Sequence, residues 1–284
     1  MTDTRPNVKN IKIGDRVVSH SNMSCRVCKA CTDGREFDCK KRTIWGFETG
    51  PLWGGYCQFT HLPEVNVLKI PEGVSYDQAA AASMTLLTSW HMLVGRAKIQ
   101  PGQLVLIMGG SSGIGTFGIQ IAKLFGCTVI ATASPDKLDK CLELGADFAV
   151  DHRKNDWHKE VRAIAKKIPK PNGDVPGVDV IFEHIGGSHW NKELTLLNYG
   201  GTIVTTGATT GAVIVETETV CDFSSTVKVV LDGNGFPGAF FTGMLLTAAF
   251  LAGAAFFAAA FLTGAFLAGT FLATFLATFF TGVA

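Results

Sequence analysis

Residues 104–123 read LVLIMGGSSGIGTFGIQIAK, and this segment gives the strongest indication of the fold. Its first five residues are apolar and end at a pair of glycines. Apolar residues then recur at helical spacing, at Ile114, Phe117, Ile121 and Leu124. The segment is therefore predicted to form a buried strand, a tight turn and an amphipathic helix.

Three glycines in this segment form the pattern G-x-G-x-x-G. Between a strand and a helix, the pattern predicts a site for the diphosphate of a dinucleotide. The first glycine permits the turn, the second leaves room for phosphate oxygens, and the third lets helix and strand pack closely. The helix start also offers unpaired N–H groups and a positive dipole end. The residues predicted to bind the dinucleotide here are Ser111, Ser112, Gly113, Ile114, Gly115 and Gly118.

Strands and helices alternate along the rest of this region. Strands are predicted at 104–108, 127–133, 148–150, 178–185 and 202–206, and helices at 114–125, 138–146, 156–168 and 189–197. This alternation predicts an α/β fold with a doubly wound parallel sheet of the Rossmann type. Ligands of such sheets lie beyond the carboxyl ends of the strands, which adds Gly186 and Gly207 to the predicted cofactor-binding residues.

The end of the second strand bears on the choice of cofactor. It reads Ala-Thr-Ala-Ser over residues 131–134 and lacks the acid that usually binds the ribose 2′-hydroxyl of NAD. Ser134 and Lys137 can instead donate to a 2′-phosphate, which favours NADP(H) over NAD(H). Asp136 opposes this interpretation unless it turns away, and Ser134 can also cap the following helix.

Four of the eight cysteines lie close together, with the spacing C-x2-C-x2-C-x7-C. This spacing predicts a closed tetrahedral set of thiolates around one structural zinc ion. The polar first ten residues carry no secretory signal, so a cytoplasmic, reducing location is expected, where clustered cysteines hold metal rather than form disulfides. The predicted metal ligands are Cys25, Cys28, Cys31 and Cys39.

Charge and the earlier part of the chain add two expectations. The net charge is +1, so no basic field argues for nucleic acid as a partner. Residues 11–19 look like a strand entered through a Gly-Asp turn. The region around Tyr56 and Phe59 looks like further short strands of a small β domain. A long helix is predicted over 76–96, with Ser75 as its N-cap.

The C-terminal tail differs from the rest of the chain. Residues 238–284 form an apolar, low-complexity segment without charged residues. Its length exceeds the roughly 20 residues that one membrane span requires. Two interpretations stay open: a tail that enters a membrane or aggregates, and a non-native chain end. Residues 212–237 are predicted as a linker or remnant strands, with strand-like pieces at 212–215 and 226–231.

The motifs taken together resemble those of a known family. In order they are GDRV, the four-cysteine segment, GGY, IPEG, LTSWHML, GGSSGIGTFGIQIAK, IATASPDK, LGAD, VDVIFEHIGG and GGTIVTTGATTG. They resemble the medium-chain dehydrogenase/reductase superfamily, in particular its zinc-containing alcohol dehydrogenase-like and quinone reductase-like branches. The resemblance implies a partial GroES-like catalytic domain over 1–74 with a zinc lobe at 25–39, and a Rossmann NAD(P)-binding domain over 75–211. It also implies hydride transfer between NAD(P)H and a small-molecule substrate, namely a carbonyl, a quinone or an activated alkene.

The resemblance also implies roles for individual residues. Thr88 looks like the residue that touches the nicotinamide, and His184 is a second catalytic candidate because its loop points toward that ring. Members with a catalytic zinc have a ligand where this chain has Met84, and a thioether is a poor ligand for zinc. Their other ligands would lie before Met1. A structural zinc without a catalytic zinc is therefore expected.

A complete member would begin upstream of Met1 and continue beyond Gly211 with further elements. The resemblance thus leaves an alternative to an active NADPH-dependent oxidoreductase. The alternative is an inactive, nucleotide-binding and zinc-stabilised fragment, tethered to a membrane by its tail. The sequence leaves the substrate and the state of oligomerisation open.

Overall fold

A computed structural model of the chain describes residues 8–47, 54–169, 176–207, 209–210 and 228–231. The apolar tail at 238–284 and the predicted strand at 212–215 lie outside these residues. None of the helices in the described part of the chain combines the length and the apolar character that crossing a membrane requires.

The N-terminal part contains two small antiparallel pairs of strands. Strand β1 (Val17–Ser19) pairs with β4 (Val67–Lys69), and β2 (Asn22–Met23) pairs with β3 (Thr43–Ile44). The short helix α1 (Lys29–Thr32) lies between β2 and β3. The segment 11–19 contains the predicted Gly-Asp turn at residues 12–15, and the strand begins after it, at Val17. In this turn, the Asp15 amide donates to the Lys12 carbonyl and the Asp15 carboxylate accepts from the Lys12 amide.

Helix α2 (Tyr76–Trp90) begins with the predicted cap. The Ser75 side chain accepts from the Gln78 amide, and the Gln78 side chain accepts from the Ser75 amide. The predicted long helix over 76–96 is present, and its last part, His91–Ala97, is a π-helix. In this wider helical turn His91 lies close to residue 95. A Cβ atom on Gly95 would lie 3.2 Å from Nδ1 of His91, so glycine fits this position.

The larger part of the fold is a six-stranded parallel sheet, which confirms the predicted Rossmann architecture. Its strands are β5 (Leu104–Ile107), β6 (Thr128–Ala133), β7 (Phe148–Asp151), β8 (Val178–Glu183), β9 (Leu197–Thr205) and β10 (Lys228–Leu231). Their order is β10-β9-β8-β5-β6-β7, so the chain reverses direction across the sheet between β5 and β8. The intervening helices are α3 (Gly113–Leu124), α4 (Leu138–Glu143), α5 (Trp157–Ala165) and α6 (Trp190–Leu194).

Two predicted boundaries around β9 are wrong. The strand begins at Leu197, five residues earlier than predicted, because Leu197 pairs with Val178 of β8. The preceding helix is correspondingly short and ends at Leu194. Strand β8 ends at Glu183 rather than at residue 185.

Buried apolar side chains cover both faces of this sheet. One cluster packs α3 and the π-helix against one face and includes Met92, Leu93 and Ile119. The other packs α5 and α6 against the opposite face around Trp157 and Ile181. Burial on both faces is typical of a parallel sheet, and it holds the carboxyl ends of the strands in a fixed arrangement.

Candidate functional site

The glycine-rich turn lies at the carboxyl end of β5, at the reversal point of the sheet. Gly109 has φ +60°, and its amide donates to the Thr132 hydroxyl at 3.1 Å. The Gly110 amide donates to the Thr132 carbonyl at 2.7 Å. Strand β6 therefore fixes the first half of the turn.

Two of the three glycines of the pattern, Gly113 and Gly115, make close contacts that the sequence does not predict. The positive φ angle belongs to Gly109, not to Gly113. A Cβ atom on Gly115 would lie 2.2 Å from the Gly109 carbonyl oxygen, so that glycine makes room for the turn itself. A Cβ atom on Gly113 would meet Thr85 of α2 at 2.9 Å. Only Gly118 matches its predicted role, because its Cβ position faces Phe182 of β8 at 3.4 Å.

Several backbone amides at the start of α3 have no hydrogen-bond acceptor in the described part of the chain. The Ser112 amide donates to the Gly109 carbonyl, and the Gly115 amide donates to the Ser112 hydroxyl, which caps the helix. The amides of Ser111, Gly113 and Ile114 make no hydrogen bond within the described residues. Free amides at the positive end of a helix form a favourable site for an anion such as a phosphate.

Helix α2 packs against this helix start and brings Thr88 near it. The Ser89 hydroxyl is fully buried and lies 2.8 Å from both the Thr85 carbonyl and the Ile114 carbonyl. Thr88 precedes Ser89 and is half-buried. No hydrogen bond engages the Thr88 hydroxyl within the described part of the chain.

His184 follows β8 and faces the same turn. Its Nε2 atom lies 3.1 Å from the Ser112 hydroxyl. Burial lowers the pKa of His184, although the Glu183 carboxylate acts in the opposite direction. The imidazole is therefore neutral at pH 7. Gly186 (φ 71°) and Gly207 (φ 71°) lie in the loops after β8 and β9, as predicted.

The loop after β6 differs in detail from the expectation. Ser134 precedes a 3-10 turn (Pro135–Lys137) but makes no capping hydrogen bond, so its predicted role as a cap is wrong. A hydrogen bond from Ser134 lowers the pKa of Asp136, with smaller contributions from Lys137 and Arg153. Lys137 and Arg153 are both exposed, so two cations flank this loop.

A cavity of about 670 Å³ lies beside the middle of α2. Met84, one turn before Thr88, contacts the edge of this region, because its Sδ atom lies 2.7 Å from the Ser21 hydroxyl. Ser83 of α2 also borders the cavity. Hydroxyl groups and aromatic rings make up most of the lining: Ser19, Ser21, Ser83, Trp45, Phe47 and Tyr56.

The four clustered cysteines come together as the spacing predicts. Their sulfur atoms all lie within 4.8 Å of one another. Three of the separations are 3.5, 3.6 and 3.9 Å. A tetrahedral zinc ion with Zn–S bonds of about 2.3 Å separates its sulfurs by roughly 3.8 Å, so the set fits zinc. Hydrogen bonds from the Val27 and Cys28 amides lower the pKa of Cys25 to about 6, whereas the pKa of Cys28 is raised to about 11 by hydrogen bonding with the other thiols and by burial. Cys25 is therefore the thiol that most readily forms the thiolate that a metal requires.

The cysteine lobe, residues 25–39, contacts the π-helix through Phe37. The His91 ring lies 4.6 Å from the Phe37 ring, and the Arg96 guanidinium lies 4.9 Å from it on the same helix. Arg96 also donates to Nε2 of His91 at 3.1 Å. His91 thus has a packing role in this structure.

Two residues of this region were not among the predicted site residues. Arg153 approaches the loop after β6 because the His152 amide donates to the Ala133 carbonyl at 3.2 Å. Glu183 is fully buried at the end of β8. A charged residue directly after three apolar residues of a strand, as in VIFE, was the available signal for Glu183.

The fold and these sites define a class of protein: a nucleotide-binding Rossmann sheet joined to a small β domain with a tetrathiolate lobe. Two family models match the chain. The alcohol dehydrogenase GroES-like domain matches residues 2–72, and the zinc-binding dehydrogenase model matches residues 113–245. The chain belongs to the medium-chain dehydrogenase/reductase superfamily.

Individual relatives support this assignment. The chain is 32% identical over 222 residues to a crotonyl-CoA carboxylase/reductase from Cereibacter sphaeroides. The matched region covers 72% of this chain and 51% of that relative. The chain is 31% identical over 186 residues to a human quinone oxidoreductase, which covers 65% of this chain and 54% of the relative. A crystal structure of an NAD-dependent alcohol dehydrogenase superposes with a TM-score of 0.71 at 34% identity, over 80% of this chain and 63% of that one. The chain thus spans about half the length of the curated relatives that it matches.

Proposed function

We propose that this protein is an NADPH-dependent oxidoreductase that transfers a hydride to a carbonyl compound, a quinone or an activated alkene. The observation that carries the proposal is the set of three unused amides, of Ser111, Gly113 and Ile114, at the start of α3. They lie at the reversal point of the sheet, where dinucleotides bind in this architecture. The relatives named above, a quinone oxidoreductase and a crotonyl-CoA carboxylase/reductase, support the choice of acceptors.

In this proposal the residues around the turn bind the coenzyme, which supplies the hydride when bound. The free amides hold the diphosphate, and Thr88 and His184 contact the nicotinamide end. The Ser112 hydroxyl fixes the imidazole ring of His184 by a hydrogen bond. The neutral imidazole then orients the nicotinamide by hydrogen bonding. Gly186 and Gly207 allow the backbone to approach the coenzyme closely.

The acceptor is proposed to bind in the cavity beside α2, one helical turn from Thr88. Its aromatic rings suit a planar, apolar substrate, and the Ser21 and Ser83 hydroxyls can donate to a carbonyl oxygen. Met84 lies at the position of a zinc ligand in relatives with catalytic zinc, and its sulfur is a poor ligand. The proposed reaction therefore relies on hydrogen bonding for polarisation of the acceptor.

NADPH is proposed over NADH because the loop after β6 is flanked by cations. Lys137 and Arg153 are both exposed and close enough to Asp136 to lower its pKa. The same two positive charges can bind the 2′-phosphate of NADPH. Since Ser134 is engaged by Asp136, the specificity rests mainly on Lys137 and Arg153.

The division of the chain follows from the same assignment. Residues 1–74 are proposed as the GroES-like domain and residues 75–211 as the nucleotide-binding domain. Zinc in the cysteine lobe is proposed to be structural, because four thiolates leave no open position for a substrate.

A binding and turnover experiment on the full chain tests the proposal. NADPH and NADH are titrated by isothermal calorimetry, and a benzoquinone, an enone or an aldehyde is then added while the absorbance of the reduced nicotinamide is followed. We expect NADPH to bind more tightly and to be oxidised by at least one acceptor. Binding without oxidation by any of the three would support the inactive nucleotide-binding alternative, and absence of binding would contradict both.

A further inference from the structure

The acid at the end of β8 makes three short hydrogen bonds inside the protein. One carboxylate oxygen of Glu183 accepts from the Ile185 amide at 2.5 Å and from the Gly186 amide at 2.6 Å. The other oxygen accepts from the Thr205 hydroxyl at 2.6 Å. Glu183 is fully buried, so its carboxylate is bound by protein donors and not by bulk solvent.

These donors belong to the loop of residues 184–187 and to the neighbouring strand. From its other side, the loop is held by Thr209, whose hydroxyl donates to the His184 carbonyl at 3.0 Å. The Thr210 amide and hydroxyl both donate to the Ile185 carbonyl, at 2.8 and 2.9 Å. Gly186, with φ 71° and ψ −155°, occupies a conformation that is available almost only to glycine. Hydrogen bonds from two sides therefore fix an otherwise unfavourable backbone.

The fixed loop lies where the nicotinamide half of a dinucleotide would lie. Strand β8 is adjacent to β5 on the side opposite β6. The adenosine half of a bound dinucleotide extends over β6, so the nicotinamide half extends over β8. His184, the first residue of the loop, contacts the glycine-rich turn, because a Cβ atom on Gly109 would lie 3.1 Å from its ring.

The ionisable groups around Glu183 do not offer it an ion pair within the described residues. Burial and the charge of Glu183 raise the pKa of Glu193 well above its ordinary value, which favours the neutral form of Glu193. Burial lowers the pKa values of His184 and His189, which are therefore neutral at pH 7. The carboxylate is stabilised chiefly by the loop amides and Thr205, and it stabilises the loop in turn.

We propose that Glu183 is a positioning residue, which holds residues 184–187 in the shape that the nicotinamide half of the coenzyme requires. It acts through the backbone of the loop and does not itself touch the coenzyme. The inference rests on the proposed function, since it assumes that a nicotinamide dinucleotide binds at this turn.

Three substitutions and two ligands test the role. Glu183→Leu removes both acceptors and leaves the Ile185 and Gly186 amides buried without partners. Glu183→Asp keeps the charge but withdraws it by one methylene, and Glu183→Gln keeps an acceptor for the amides. Calorimetry measures the binding of NADPH and of adenosine 2′,5′-bisphosphate, which reaches only the adenosine side. Thermal unfolding of each variant shows whether it is folded.

We expect NADPH affinity to fall by roughly 10- to 100-fold in Glu183→Leu, less in Glu183→Asp, and by under about threefold in Glu183→Gln. Affinity for the bisphosphate should change by under about twofold in all three. Equal weakening of both ligands would assign Glu183 to general stability and overturn the proposal, as would unchanged NADPH binding in Glu183→Asp. If Glu183→Leu does not fold, the Asp and Gln variants decide. Failure of the unmodified protein to bind NADPH would instead overturn the proposed function.

Discussion

The nucleotide-binding sheet and the cysteine lobe are stabilised by different kinds of interaction. Two clusters of buried apolar side chains cover both faces of the sheet. Within residues 21–45, all of them described, Cys31 and Cys39 are the only buried residues. The sheet therefore carries its own core, whereas the lobe has no core besides the sulfur atoms that a metal would bind.

The sheet and the lobe therefore differ in whether ligand binding contributes to folding. The turn before α3 is fixed by β6, α2 and β8 through backbone and buried side chains, so its free amides are arranged before any nucleotide arrives. In the lobe the four sulfurs are the shared centre, and metal binding and folding are expected to occur together. The Phe37 contact with His91 and Arg96 joins the two regions.

The prediction with the largest effect tests whether the lobe can unfold while the sheet stays folded. Cys39→Ser removes a buried ligand, and the lobe should lose its metal and its protection from hydrogen exchange over residues 25–39. The sheet should keep its protection because its core is untouched. Elemental analysis measures the metal, and hydrogen exchange with mass spectrometry measures both regions.

The matched control for this variant is Cys57→Ser, which changes an exposed thiol outside the lobe. It should retain the metal content of the unmodified protein. Retention of stoichiometric metal by Cys39→Ser, or loss of protection in the sheet equal to that in the lobe, would contradict the proposed independence of the two regions.

A second prediction concerns the preformed turn. A Cβ atom on residue 115 would lie 2.2 Å from the Gly109 carbonyl oxygen and 2.7 Å from the Gly110 Cα, and neither atom belongs to a flexible side chain. Gly115→Ala should therefore displace the turn, weaken NADPH binding by roughly 100-fold and lower the free energy of unfolding by about 2 kcal/mol. Calorimetry and urea unfolding measure the two effects.

Gly118→Ala provides a graded comparison within the same helix. Its Cβ atom would contact Phe182 at 3.4 Å, which the ring can accommodate. We expect a loss of stability below about 1 kcal/mol and a change in NADPH affinity below about threefold. Equal effects of the two substitutions would show that the close approach of Gly109 to Gly115 does not control the turn.

The sequence predicts the elements of the sheet well and the details of its turns poorly. Alternating apolar segments and the glycine pattern identify the Rossmann fold because they depend on local periodicity and on a strand–turn–helix unit. The role of Gly115 depends on the position of the Gly109 carbonyl, which the packing of β5 on β6 decides. The π-helix after Trp90 likewise depends on packing, because Phe37 and Gly95 both surround His91.

The candidate sites show the same contrast. The clustering of four thiols is predictable because three short spacings force the sulfurs together. The pairing of Ser134 with Asp136 and the approach of Arg153 are not, since they join loops that follow different strands. Glu183 is a long-range case: it bonds Thr205, which is 22 residues further along the chain.

A third prediction tests coenzyme selection within the nucleotide-binding region. Lys137→Glu replaces one of the two cations by an anion where the 2′-phosphate is proposed to lie. NADPH affinity should fall by about tenfold or more, and NADH affinity should change by under about twofold. Titration calorimetry with both coenzymes measures the ratio.

Lys140→Glu serves as the control, because it makes the same charge change on α4, three residues further on. The charges of Lys137 and Arg153 contribute to the lowered pKa of Asp136 in this loop more than that of Lys140 does, so the effect of Lys140→Glu on the NADPH-to-NADH ratio should be smaller. Equal losses of both coenzymes in Lys137→Glu would show that Lys137 does not distinguish them.

The prediction with the smallest effect concerns the energetic cost of burying the Glu193 carboxyl group. Glu193 is fully buried, and among the residues that the structure describes neither of its carboxyl oxygens has a hydrogen-bond partner. Burial raises its pKa well above the ordinary value, so the folded protein keeps a proton that the unfolded chain loses above about pH 4.5. Stability from this group is present at low pH and is lost as the pH rises toward the folded pKa.

Glu193→Gln cannot ionise in either state, so it removes this dependence. Histidines 152, 184 and 189, whose pKa values burial lowers, destabilise the fold as the pH falls below about 6.5, but they do so equally in both proteins. Relative to the unmodified protein, the variant should therefore become steadily more stable in urea unfolding as the pH rises from 5.5 to 7.5. A difference between the two proteins that does not vary with pH would mean that Glu193 ionises in the folded state as it does in the unfolded chain, and that the packing of α6 imposes no electrostatic cost.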